Sequence, residues 1–366
     1  MARLSDAAAR IADAERIAEL ASALDAARRE RDATARVAAK LTEDVARLTA
    51  ALGIRETVHG MVVTTPKWQV KASTRATKHH GIVWLQFSDW HFAEVVEVEL
   101  LNGINAYSAR IGEQRLHRWT DNVTQVADII GASYDLDGAV VAVNGDILTG
   151  WIHGIDRGPT DSRGLLKDLR HWAGRMAAAF GVLAERFGRV AIYVTVGNHG
   201  RLSDKWSSRH AVGENVEWLL GLTLQDWFAD DPRVSVTVAE SVDLLYPIYD
   251  LRVLQTHGNT GAGRGGSGIA GFWPRLNRLR LTKQSLYARQ GGFDVLCAGH
   301  FHQLKMAAMG RDGFIVNGSG KGFDAYARDA GFDAEHAAQA LSLVAPERGI
   351  VSHWPIFLED RKAEGW

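Results

Sequence analysis

Val83-Trp84-Leu85-Gln86-Phe87-Ser88-Asp89-Trp90-His91-Phe92 is the stretch from which the rest of the chain can be ordered. An apolar, β-prone run leads into an Asp-x-His pair, so the pattern predicts a buried strand whose C-terminal end delivers a carboxylate and an imidazole to one point. Both groups are metal ligands. They also suit a hydrogen-bonded structural pair, and the pair alone does not separate the two readings.

What separates them is recurrence. Asn144-Gly145-Asp146 follows the apolar run 139–143, and Gly197-Asn198-His199 follows 190–196. His257 follows 251–256, and Gly299-His300-Phe301-His302 follows 293–298. Each run ends in a metal-competent side chain. In open α/β sheets the ligand crevice lies just beyond the carboxyl ends of the strands, so these ends are expected to converge on one pocket.

In this order the blocks resemble the signature of the calcineurin-like metallophosphoesterases, D-x-H, G-D, G-N-H-[DE], H and G-H-x-H. The likeness runs from about residue 81 to the C-terminus. It implies a four-layer α/β/β/α sandwich of two mixed sheets flanked by helices. It also implies two divalent ions, one held by Asp89, His91, Asp146 and His302, the other by Asp146, Asn198, His257 and His300, with Asp146 as the bridge. By the same resemblance His199 contacts the phosphate and protonates the leaving oxygen. One position departs: the acidic residue that ordinarily follows the third-block histidine is Gly200, which bears on how His199 is oriented.

The chemistry accounts for these residue types. Phosphodiesters are anionic and repel nucleophiles, so their hydrolysis needs concentrated positive charge and a hydroxide formed near neutrality, which two ions roughly 3.5 to 4 Å apart supply. A mixed Asp, His and Asn set suits intermediate metals such as Mn, Fe, Zn or Ni better than Mg or Ca, and Mn is the ion expected first. A histidine with an ordinary pKa of about 6.5 can protonate a leaving group near pH 7. The Asp-Trp-His-Phe opening, the insertion after it and the late Asn-Gly-Ser segment look most like DNA-repair exonuclease and phage-encoded members, which makes a DNA nuclease the first expected function. The alternatives are a phosphomonoesterase or small-nucleotide phosphodiesterase and, from another class, a helical scaffold with a degenerate site.

With 366 residues, 46% of them hydrophobic, the chain can bury a sizeable core. Lys plus Arg number 42 against 43 Asp plus Glu, so the net charge of −1 carries no whole-chain nucleic-acid signal. A single cysteine, Cys297, excludes an intramolecular disulfide and points to a reducing compartment. No segment has signal-peptide or membrane-span character, so a cytoplasmic protein with no membrane partner is expected.

Residues 1–52 have their own composition, rich in Ala, Arg, Asp, Glu and Leu with no Gly or Pro, which predicts one long helix. Ile17, Leu20 and Leu24, then Leu41, Val45, Leu48 and Leu52, fall into a 3-4 alternation that passes through Ala27, Arg31, Thr34 and Ala38. Such a seam fits a coiled coil joining copies of the chain or docking a helical partner; a solvated helix is the alternative. A linker is expected over 53–80 and the catalytic domain over 81–366. His79 and His80 read as surface residues.

Several loops add candidates. Glu94, Glu97 and Glu99 lie in an insertion over 93–106 and read as a solvated edge, with outer partners of a metal site as the alternative. The loop leaving Asp146 makes Thr149, Trp151 and His153 candidates for touching substrate, Trp151 by stacking on a base. Arg201 is a candidate phosphate ligand, and Asp204 a candidate replacement for the missing acid. Seven glycines in 258–271 suggest a mobile loop over the site, with Arg264 at its tip. Its Gly261-x-Gly263-x-x-Gly266 is not a dinucleotide fingerprint, because no acidic residue closes a following strand at the expected distance of about 20 residues. Helices are expected over 108–130, 162–187 and 215–228, a strand over 234–238, and a hairpin over 303–316. A late strand over 350–358 is expected to complete the second sheet.

Overall fold

Side chains alternate across a strand, and the segment after His80 uses both of its faces. Val83, Leu85 and Phe87 enter one hydrophobic cluster and Trp84 another, all four fully buried. A strand covered on both sides belongs in the middle of a layered structure. A computed structural model describes residues 16, 20–44, 46, 79–149, 160–203, 211–260, 268–309, 312–329 and 331–360. The chain divides into two compact units, Met1–Arg75 and Ala76–Trp366.

In the first unit, residues 20–44 form a helix, α1, along which Leu20, Leu24, Val37 and Leu41 are exposed. Ile17, Val45, Leu48 and Leu52 lie outside the described residues. The second unit runs β1 (His79–Phe87), α2 (Ala109–Gly131), β2 (Tyr134–Asn144), α3 (Leu165–Phe187), β3 (Val190–Thr195), α4 (Val216–Trp227) and β4 (Val234–Val238). It continues with β5 (Asp243–Ile248), β6 (Leu251–Thr256), α5 (Gly268–Tyr287), β7 (Val295–Ala298), β8 (Lys305–Met309) and β9 (Asp312–Val316). Helix α6 (Ala325–Asp329), β10 (Ala338–Ala345) and β11 (Gly349–Phe357) follow. Among the described residues no helix is long and apolar enough to cross a membrane.

Two mixed sheets result. The first has the order β11-β10-β1-β2-β3-β4, with β1 to β4 parallel, β10 antiparallel to β1 and β11 antiparallel to β10. The second has the order β5-β6-β7-β9-β8, with β5 and β8 as antiparallel edges. Trp84, Val140 and Ala340 from the first sheet meet Val253, Cys297 and Ile315 from the second, which is the inter-sheet core. Trp119, Trp172, Phe180 and Leu220 on α2, α3 and α4 cover the outer face of the first sheet, while Phe272, Leu276 and Leu279 on α5 cover that of the second. The layers are therefore α/β/β/α, as the sequence predicts.

Three local readings change. The late strand β11 joins the edge of the first sheet, not the second, because it pairs as a hairpin with β10. The stretch read as a glycine loop gives way at Gly268 to α5, a helix that holds Gly271 and Pro274 within it. Strand β1 begins at His79, ahead of the expected domain start.

Candidate metal centre

Parallel strands end together, so the loops after β1, β2, β3, β6 and β7 open on one edge of the sandwich. Under them, between the sheets, lies a buried polar layer. Asn144 donates from Nδ2 to the carbonyl oxygens of Thr256 (3.0 Å) and Cys297 (3.3 Å) and accepts from Thr195 Oγ1 (2.7 Å). Gln255 donates to Val143 O (2.8 Å) and Thr195 Oγ1 (2.9 Å). Paired buried groups of this kind fix one register, and with it the origin of each loop.

In the first loop the residues alternate between anchor and ligand. Trp90 and Phe92 are buried in a run of rings, Phe87 to Trp90 (4.8 Å), Trp90 to Phe92 (5.1 Å) and Phe92 to Trp172 (3.8 Å). Asp89 and His91 then turn to the other side. Backbone bonds from Asp89 N to Gly145 O (3.1 Å) and from His91 N to Asp146 O (3.0 Å) zip this loop to the one after β2. Asp89 (φ 55°), His91 (46°), Asp146 (50°), His300 (69°) and His302 (53°) all hold left-handed backbone. They are five of the eight non-glycine residues with positive φ among those described. Each costs of order 1–3 kcal/mol, so strain is concentrated at the candidate ligands.

The seven expected ligands come together. Potential ligand atoms of Asp89, His91 and His302 lie within 4.8 Å of one another, as do those of Asp146, His257 and His300, and of His91, Asp146 and His199. His91 Nε2 is 3.1 Å from His302 Nε2, and His302 Nε2 is 3.4 Å from Asp89 Oδ1. Asp146 reaches both sides: its Oδ2 is 2.9 Å from His257 Nε2 and 3.9 Å from His199 Nε2, while Oδ1 accepts from His199 N (2.8 Å). Asn198 precedes His199 in the loop after β3 and lines the same cleft.

Whether a cation fits is decided by where lone pairs point. His257 Nδ1 is 2.8 Å from the carbonyl of Asn144, which makes Nδ1 the protonated nitrogen. In the neutral ring Nε2 then turns a lone pair on the Asp146 carboxylate, and two acceptors at that distance repel unless a proton or a metal joins them. Nε2 of His257 and Oδ1 of Asn198 are buried with no hydrogen-bond partner. Burial alone would lower His257, yet the facing Asp146 raises it to about 10. Burial would raise Asp146, yet His257 and His199 hold its carboxyl well below the usual range. His300 is pushed down to about 3 by burial and His257, and His91 well below the ordinary histidine value by burial, Lys321 and His199. His91 and His300 are thus held neutral and Asp146 ionised, the states that bind metal, and a cation at His257 Nε2 would take the place of the proton that Asp146 otherwise stabilises there, so this donor set fits a divalent transition metal.

Around the ligands stands a supporting set. Glu94 places Oε2 3.5 Å from His91 Nδ1, accepts from Thr149 Oγ1 (3.2 Å) and is gripped at Oε1 by Lys321 Nζ (2.7 Å), which also donates to Asp324 (2.5 Å). A carboxylate on the far nitrogen of a ligating imidazole orients the ring. Of the three acids Glu94 is the one placed beside a candidate ligand, near His91 Nδ1 though not hydrogen-bonded to it, whereas Glu97 and Glu99 are exposed. Thr149 is turned to Glu94 at the cleft wall. Arg201 also lines the cleft and donates to Ser203 O (3.0 Å) and Asn198 O (3.1 Å). Trp151, His153, Asp204 and Arg264 lie outside the described residues.

Glu217 escapes a local reading because it stands on α4, remote in sequence from every signature block. It is 1% exposed and accepts backbone N–H groups from Gly197 (2.7 Å), Asp146 (3.1 Å), Ile147 (2.6 Å) and Leu148 (3.2 Å). Burial and the nearby Asp146 raise it to about 7. The cleft above the ligands has a volume of about 1020 Å³. Its floor is polar; its far wall carries Leu101, Phe323, Tyr326 and Phe332.

No family model matches the chain, and no curated protein sequence matches it. Among solved structures it is similar to a predicted phosphoesterase from Streptococcus pneumoniae TIGR4 (12% identity, TM-score 0.27, covering 75% of this chain and 97% of that one). It is also similar to an archaeal phosphodiesterase (10%, TM-score 0.33, 75% and 99%) and to vacuolar protein sorting 29 from Cryptosporidium parvum (10%, 0.32, 75% and 99%).

Proposed function

We propose that this chain is a calcineurin-like metallophosphoesterase that hydrolyses phosphodiesters with two divalent ions. One observation carries the reading: His257 Nε2 and Asp146 Oδ2 lie 2.9 Å apart beside an unpartnered Asn198 oxygen, with His300 in the same cluster, so that a cation in place of the His257 proton would be met by all four residues. Asp89, His91, Asp146 and His302 would hold one ion, and Asp146, Asn198, His257 and His300 the other, with Mn the first choice. Bound there, the ions supply positive charge for the phosphate oxygens and acidify water.

The chain's own residues do the rest. His199 stands edge-on to His91 at 4.5 Å with its side chain 18% exposed, so it reaches the open side of the floor beside Asp146. Its backbone N–H is fixed by Asp146 Oδ1, so its ring is set to hold a phosphate oxygen and hand a proton to the leaving oxygen. A cleft of this volume has room for a substituent on each side of a phosphate, which favours a diester over a monoester.

The walls favour a compact diester such as a small nucleotide over a duplex. Among the described residues they present Glu97, Asp333 and Glu335 beside two cations, Lys321, engaged by two carboxylates, and Arg201, which donates to Ser203 O and Asn198 O. A long polyanion is instead tracked by cations. A manganese-supplemented comparison of bis(p-nitrophenyl) phosphate, p-nitrophenyl phosphate, a cyclic nucleotide, single-stranded DNA and duplex DNA tests this. Turnover is expected on the small diesters, and His199→Ala is expected to lose about 10²–10⁴ of it while retaining Mn2+. DNA as the best substrate would restore the nuclease reading; Mn2+ binding without turnover on any phosphoester would favour a scaffold.

A further inference from the structure

The signature's missing acid has a counterpart elsewhere in the chain. A Cβ built on Gly200 would lie 2.2 Å from Asn215 Oδ1 and 2.6 and 2.9 Å from Cγ and Cδ of Glu217, so the volume a side chain at 200 would enter is filled by the cap of α4 and the carboxylate that follows it. Gly200 is therefore what lets Glu217 in. Asn215 completes the fit: its Oδ1 caps α4 at Glu217 N (2.9 Å) and its Nδ2 donates to Gly197 O (2.8 Å).

Four backbone donors converge on this one carboxylate, and they belong to two loops. Asp146, Ile147 and Leu148 follow β2, and Gly197 precedes Asn198 and His199 after β3. The loops touch so closely that a Cβ on Gly197 would lie 2.2 Å from Asp146 Oδ1. A buried carboxylate without partners would be strongly disfavoured, and the four N–H groups would be equally costly to leave unmet. We propose that Glu217 replaces the acid absent at position 200 and is the positioning residue that sets Asp146 against Asn198 and His199. This rests on the metallophosphoesterase reading.

The full-length protein is titrated with MnCl₂ by calorimetry, assayed on bis(p-nitrophenyl) phosphate, and followed metal-free by amide hydrogen exchange, as wild type, Glu217→Gln, Gly200→Ala and Gly213→Ala. Glu217→Gln keeps the shape but offers fewer acceptors. It is expected to weaken Mn2+ binding about 10–100-fold and to lower kcat by a similar factor with little change in KM. A residue that only stabilises the fold would lower the unfolding midpoint and leave Mn2+ affinity alone. Gly200→Ala displaces the carboxylate together with the Asn215 cap that seats it, without removing either, so it is expected to give the same defect in milder form even if Glu217→Gln does not fold. Gly213→Ala, whose Cβ meets nothing within 4 Å, is the unaffected control. Folded Glu217→Gln or Gly200→Ala protein that binds Mn2+ as tightly as wild type overturns the proposal. If the wild type hydrolyses no phosphoester, the function fails while the Mn2+ titration still reads Glu217. If it binds no Mn2+, exchange of the 146–148 and 197 amides decides, since Glu217→Gln should accelerate it at least about tenfold and an unchanged rate refutes the tie.

Discussion

Lys321→Met isolates how the wall of the cleft is held. The lysine side chain is 3% exposed, with Nζ 2.7 Å from Glu94 and 2.5 Å from Asp324. Burial alone would lower its pKa, but the two carboxylates more than offset this and hold it above the ordinary lysine value. Burial likewise opposes the ionisation of Asp324, yet Lys321 brings it down to about 2. A fall of roughly 2 units at 1.36 kcal/mol each gives about 2–3 kcal/mol for that partner alone. Removing the only cation of a buried cluster costs about 3–5 kcal/mol, and partial exposure of Glu94 places the expected loss near 3. Because Asp324 lies below its ordinary value, its contribution is full above about pH 4 and is lost as pH falls toward 2. Lys321 lies above its own, so its contribution persists until pH rises past about 10.5. Urea unfolding in EDTA at pH 7.5, with Asp324→Asn and the double variant, reads the interaction free of metal. A coupling of about 1.5 kcal/mol or more is expected. A loss under about 0.5 kcal/mol in Lys321→Met, or strict additivity, refutes the reasoning.

Asp146→Asn should reduce Mn2+ affinity by more than the roughly 100-fold that loss of an outer partner costs, and turnover retained in that protein would contradict the shared-ligand mechanism. His80 pairs with Asp137 at 2.8 Å and its pKa is raised by that bond, so its contribution is full below about pH 6.5 and disappears as pH climbs past the raised value. The unfolding midpoint of His80→Gln should therefore lie below wild type at pH 5.5 and coincide with it at pH 9. A chain starting at Ala76 should bind Mn2+ as the full protein does; if the apolar stripe on α1 joins copies of the chain, light scattering should show the truncated form alone falling to monomer mass.

The ligand set was legible because a buried strand must end where the chain returns to solvent, and a polar residue at that point has a predictable address. Five strand ends offered the candidates, the resemblance assigned seven of them to two ions, and the structure brings the acids and imidazoles among them into one cluster. Pairing itself was hidden. Gln339 and Ser342 interrupt the run that forms β10, and both are buried because neighbouring loops and strands offer them partners: Gln339 bonds Ser88 and Asn317, and Ser342 bonds His353. Without β10 the last strand had no visible neighbour and was placed in the wrong sheet. Helix α5 was hidden by Gly271 and Pro274, which argue locally for a loop, whereas burial of Phe272, Leu276 and Leu279 against the second sheet decides for a helix.

The residues that could not be read are those that hold the ligands in place. Five candidate ligands sit in left-handed backbone that a free chain would leave, so something must over-determine them. Ser319 Oγ and the backbone N–H of Gly320 both donate to Asp89 O (2.9 Å each), and Asp89 Oδ1 accepts from His300 N (2.9 Å). Glu94 packs beside His91, and Glu217 braces the loop of Asp146. None of these supports is near its ligand loop in sequence except Glu94, and none follows a spacing rule, because a support is chosen by space and not by order. Ligand residues can therefore be carried by short signatures, while their geometry is distributed over the whole sandwich. A chain can then lose the acid after its third-block histidine and still close the same loop, provided some other element reaches the space that Gly200 leaves open.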